Sequence, residues 1–72
     1  MGNQAARIGK KIRSARQNAG LSQNALARRI NRSQSHIARW EAGKFVPELH
    51  SLQTLADATG TTVQALISEE ES

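Results

Sequence analysis

Seventy-two residues, 38% of them hydrophobic and none of them cysteine, bound the chain to one small domain without disulfides or thiolate metal sites. His36 and His50 stand fourteen apart with no companion carboxylate pattern, and no apolar run approaches the roughly 20 residues of a membrane span, so neither a metal, a cofactor nor a membrane is expected. The formal charge of +4 hides a split: residues 1–44 hold all ten Lys and Arg against Glu41 alone, leaving +9, while residues 45–72 hold five acids and no cation, leaving −5; the basic half points at a polyanion.

No signal-peptide core precedes the first helical stretch, and a cytoplasmic location is expected. Met1-Gly2 invites a myristoylation reading, but Ala6 stands where that motif wants Ser or Thr. Ile8, Ile12, Ala15 and Ala19 recur at helical spacing, with Arg7, Lys10, Lys11 and Arg13 on other faces. This first helix lacks the Trp, Phe or Leu of an interfacial membrane helix. Gly20 suits its left-handed C′ position. Ser22 then suits the N-cap of helix two, with Leu21 and Leu26 placed as a hydrophobic staple and Leu26, Ala27 and Ile30 as the buried stripe.

Asn31-Arg32 makes a turn in which Asn tolerates positive φ. Ser33 caps helix three, which ends near Gly43. On that helix Ile37, Trp40 and Glu41 share one side, and Gln34, Ser35, Ala38, Arg39 and Ala42 share the other. The second face is free of acids, which is unusual for a merely solvated surface and suited to a DNA major groove. Lys44–Pro47 forms a short connection with Phe45 and Val46 tucked inward, and Leu49, Leu52, Leu55 and Ala56 define helix four up to Gly60. Thr61 and Gln64 fit a capping box that opens a last helix with Val63, Leu66 and Ile67 apolar.

The expected fold class is therefore all-α: a compact five-helix bundle in which helices two and three form a helix-turn-helix. A single domain over residues 1–72 is expected, ordered over about 5–68, with 1–4 and 69–72 frayed. No nucleophile elbow, paired carboxylates or phosphate loop occurs, so an enzyme is not expected.

With these pieces in place the chain resembles the phage-repressor/Cro-like helix-turn-helix family, also called the xenobiotic-response-element family. The carriers are I-x-x-x-I-R-x-A-R at Ile8–Arg16, G-L-S-Q-x-x-L-A at Gly20–Ala27, S-x-S-x-I-A-R-W-E-x-G at Ser33–Gly43 and P-x-L-x-x-L-x-x-L-A-x-A-x-G at Pro47–Gly60. Each is loose alone; four in this order are specific. The resemblance implies a lambda-repressor-like domain that binds double-stranded DNA.

It further implies that Gln34, Ser35 and Arg39 reach base edges, and that Gln23 and Lys44 meet the DNA backbone. Arg16 and Glu41 match a structural salt bridge tying helix one to the end of helix three. Arg32 stands where relatives place a small apolar residue beneath the turn; it cannot be buried bare, so it is expected to project outward toward a phosphate. Arg13 is among the helix-one cations that can reach the backbone, and for His36 phosphate contact and plain exposure remain open. Trp40 reads as core.

The implied function is sequence-specific regulation of transcription, most simply repression from a pseudo-palindromic operator by a homodimer. Val63, Leu66 and Ile67 are the candidate dimer surface, although the same residues can finish the monomer core. The alternatives are an antitoxin or co-regulator with a protein partner, and a restriction-modification controller.

Overall fold

The computed structural model describes residues 3–69. The expected fraying of residues 1, 2, 70, 71 and 72 lies outside that range. Five helices occur in order: α1 (Gln4–Asn18), α2 (Gln23–Arg29), α3 (Gln34–Glu41), α4 (Leu49–Thr59) and α5 (Val63–Ile67), with no strand among the described residues.

Local chemistry accounts for nearly every boundary. Asn3 caps α1 by accepting from the Ala6 N–H at 3.0 Å, so the helix begins before the stretch expected to be ordered. At the other end the Leu21 N–H bonds the Arg16 carbonyl and the Gly20 N–H bonds that of Gln17, a Schellman closure that requires the left-handed φ of +74° at Gly20. The same closure ends α2, where Asn31 takes the position at φ +60° and Arg32 N–H reaches the Ala27 carbonyl at 2.8 Å. Ser22 and Ser33 cap α2 and α3 as expected, accepting from the amides of Ala25 and His36.

One cap is shifted. Thr62, not Thr61, caps α5, accepting from the Ala65 N–H at 3.1 Å. The Thr61 N–H is already committed to the Ala56 carbonyl in closing α4. Thr61 therefore belongs to the end of one helix rather than to the start of the next.

A single core unites the helices: Ile8 and Ile12 of α1, Leu26, Ala27 and Ile30 of α2 and its cap, Ile37 and Trp40 of α3, Leu52, Leu55 and Ala56 of α4, and Leu66 of α5. Two expectations fail here. Leu66 is only 2% exposed and belongs to the monomer core rather than to a dimer surface, while Val63 and Ile67 pack partly buried beside it. Conversely Phe45 and Val46 are 56% and 48% exposed, and Leu49 at the start of α4 is 60% exposed. The buried residue of the α3–α4 connection is Pro47.

Packing seats α3 between α1 and α2. Gly9 of α1 is buried against it, so close that a β-carbon there would stand 2.4 Å from the Trp40 carbonyl oxygen. Among the described residues no helix is long and apolar enough to cross a membrane.

Candidate nucleic-acid interface

Of the residues expected to meet DNA, all but Arg32 and His36 lie toward one surface built by α1, α2, α3 and the residue that follows α3. Ile37 and Trp40 anchor α3 in the core, which turns Gln34, Ser35 and Arg39 to solvent, all exposed. At 100° per residue Ser35, Arg39 and Ala42 point away from the anchors, Gln34 leans toward α2, and His36 falls on the opposite flank. Gln23, Arg13, Ala38 and Ala42 line a shallow cleft floored by Arg16 and Glu41. Lys44 follows α3 directly, its N–H bonded to the Arg39 carbonyl at 3.0 Å and its side chain exposed.

The floor of this cleft is a bidentate ion pair. Glu41 accepts from Arg16 Nε at 2.6 Å and from Arg16 Nη2 at 3.1 Å, with side chains only 12% and 5% exposed for Arg16 and Glu41. A third Arg16 N–H, on Nη1, donates to the Leu21 carbonyl at 2.9 Å, so one guanidinium ties the end of α1 to α3 and to the start of α2. The hydrogen bonds that Arg16 donates to Glu41, together with the carboxylate's charge, raise the Arg16 pKa above the ordinary arginine value against the opposing effect of burial.

Two contacts join the pair to the exposed face. Gln23 Nε2 donates to Glu41 at 3.0 Å, and Gln34 Nε2 donates to Gln23 Oε1 at 2.6 Å. The resemblance implies a DNA contact for each glutamine but no bond between them. A signal was present: each is the first residue of its helix and follows a capping serine, Ser22-Gln23 and Ser33-Gln34.

Arg32 departs from expectation. Its guanidinium turns inward, 5.8 Å above the Trp40 ring centroid, and donates to the Ser51 hydroxyl of α4 at 3.1 Å. Ser51 is 3% exposed and supplies the polar partner that lets the charge lie half-buried beneath the turn. His36 packs beside it, its ring centroid 5.9 Å from that of Trp40 and its Nδ1 2.8 Å from Ser33 Oγ. Arg32 and His36 thus form a cluster on the α4 side of α3, away from Gln34.

Comparison with known proteins places this geometry. Residues 7–69 match a family model described as a helix-turn-helix domain. The chain is 35% identical over 63 residues to the immunity repressor protein of Bacillus phage phi105, covering 88% of this chain and 44% of that protein. Among solved structures it is similar to the restriction-modification controller protein C.AhdI from Aeromonas hydrophila, with a TM-score of 0.81, 27% identity, and coverage of 86% of this chain and 94% of that one. It is also similar to the P22 c2 repressor solved in complex with a synthetic operator, with a TM-score of 0.80, 25% identity, and coverage of 88% and 96%. The chain spans between 30% and 44% of the length of the curated relatives it matches.

Proposed function

Because the chain belongs to the helix-turn-helix domain family, we propose that it binds duplex DNA sequence-specifically and regulates transcription, most simply by occluding a promoter. The observation that carries this reading is the two-sidedness of α3. Ile37 and Trp40 are buried while Gln34, Ser35 and Arg39 stand exposed on an acid-free face beside Arg13 and Lys44. In this reading α3 enters the major groove, Gln34 and Arg39 pair with base edges, and Ser35 makes a third contact. Gln23, Arg13 and Lys44 hold phosphates. Arg32 is removed from that set, since its guanidinium already serves Ser51 and Trp40.

One such domain spans few base pairs, so a homodimer on a pseudo-palindrome, with half-sites about 34 Å apart or a near multiple, supplies the selectivity. Among the described residues the most exposed large apolar side chains open to a second copy are Phe45, Val46 and Leu49.

Selection of bound sequences from a random duplex pool tests the reading. A palindromic winner carrying two chains supports it, with the second chain lost on Phe45→Ser. A winner with one half-site and one chain refutes the dimer, and a pool without an enriched motif refutes sequence reading.

A further inference from the structure

The His36 ring stands on the flank of α3 with its orientation held by two neighbours. Its Nδ1 lies 2.8 Å from Ser33 Oγ, and its ring centroid lies 5.9 Å from that of Trp40. Trp40 is itself only 6% exposed and carries the Arg32 guanidinium 5.8 Å from its ring. The imidazole is thus seated on the core although His36 is an exposed residue.

Ser33 also selects which ring nitrogen carries the proton. As the N-cap of α3 its Oγ accepts from the His36 backbone N–H at 3.4 Å. The hydroxyl keeps one hydrogen to donate, and Nδ1 is the acceptor within reach. The opposite tautomer would leave that hydrogen without this partner. With Nδ1 spent on the cap, the neutral ring offers its Nε2–H outward.

His36 follows Ser35, which faces away from the core anchors, and so lies about 100° round the helix from it. A helix about 10–12 Å across fills a major groove about 12 Å wide, so side chains on its flanks meet the groove walls. Those walls are sugar and phosphate, and phosphate oxygens only accept. Gln23 and Arg13 stand on the α1–α2 side of α3, whereas His36 stands on the side of Arg32 and α4.

We propose that His36, aimed by Ser33 and Trp40, donates its Nε2–H to a DNA phosphate on the α4 side of α3. The inference rests on the reading of α3 as the helix that enters the groove. Gln23 and Arg13 then hold one wall and His36 the other, which fixes the roll of α3 about its own axis.

The test uses the full chain and the duplex selected from the random pool, at about pH 8, above the titration range of a histidine side chain. Nitrogen-15 spectra of the ring should show the Nε2–H form. His36→Asn keeps an amide near the place of Nδ1 but reaches no farther. It should weaken binding about tenfold, the scale of one hydrogen bond to a charged group. His36→Gln, whose amide nitrogen reaches the place of Nε2, should restore most of that loss. Neutral methylphosphonates placed one at a time then locate the contact. At one position the wild type should lose affinity and His36→Asn should lose nothing further. A ring that served only to pack on Trp40 would give neither the rescue nor the coupling.

An Nδ1–H ring, full affinity in His36→Asn, or no rescue by His36→Gln overturns the proposal. So do methylphosphonate penalties that are equal in both proteins at every position. A changed base preference in His36→Asn also overturns it, by placing the ring on a base. A wild-type pool with no enriched motif overturns the groove reading and the proposal together, whereas an enriched motif with equal penalties overturns the proposal alone.

Discussion

Gly9 and Trp40 bring the backbones of α1 and α3 into contact: a β-carbon on Gly9 would lie 2.4 Å from the Trp40 carbonyl oxygen and 2.8 Å from that of Glu41. Helix propensity alone favours Gly9→Ala by ~0.5–1 kcal/mol. The atoms in the way are backbone, which cannot swing aside, so the net expectation has the opposite sign, a loss of ~1–3 kcal/mol. Urea unfolding measures it. A raised midpoint would show that the two helices stand farther apart than described.

Arg16 and Glu41 make the second tie between those helices. Removing the cation leaves a carboxylate buried without compensation, so Arg16→Ala should lose ~3–5 kcal/mol, a large fraction of the ~5–15 kcal/mol total of a typical domain. Circular dichroism melts check this. An unchanged melting temperature would mean that the pair is not formed in solution.

Arg32 tests whether charge near the recognition helix has to mean DNA contact. With its guanidinium on Ser51 and over Trp40, Arg32→Ala should lower stability by ~1–2 kcal/mol and shift Trp40 fluorescence. The salt dependence of DNA binding should stay as it is. A salt slope reduced by about one would instead place Arg32 on a phosphate.

These cases show what was legible in the sequence. Gly20, Asn31, Ser22, Ser33 and Gly60 were readable because a cap is a bargain between residues a few positions apart. The buried stripes of Ile8 and Ile12, Leu26 and Ile30, and Leu52 and Leu55 were readable because helical period alone selects them. Arg32 was not, since its partner Ser51 is nineteen positions away on α4. Leu66 could have faced either the core or a second chain, and only the packing of α5 on α1 and α4 decides. Phe45 and Val46 lie in a connection, where no periodicity reports which way a side chain turns. Gly9 carried an unused signal: a glycine inside a helical pattern marks a close backbone approach.

Asn31 holds φ at +60° where most residues are strained. Asn31→Ala should therefore cost about 1 kcal/mol, while Asn31→Gly should be tolerated. Denaturant midpoints of the two variants decide. Equal midpoints would mean that the turn relaxes out of the left-handed region.

Arg39 and Lys44 separate reading from holding. Arg39→Ala should relax preference at one operator position by ~1–3 kcal/mol. Lys44→Ala should weaken all duplexes alike and lower the salt slope by about one. Titrations against matched and mismatched duplexes at several salt concentrations check both. The same uniform loss in both variants would refute base reading by Arg39.

If α3 reads base edges from the major groove, base analogues in the selected duplex will report it. Replacing a contacted adenine or guanine by its 7-deaza analogue removes the major-groove N7 acceptor. Replacing guanine by inosine removes only the minor-groove amino group. A loss of ~1–3 kcal/mol is expected for the first at the positions assigned to Gln34 and Arg39, and none for the second. Binding that ignores the 7-deaza bases and falls with inosine would contradict it.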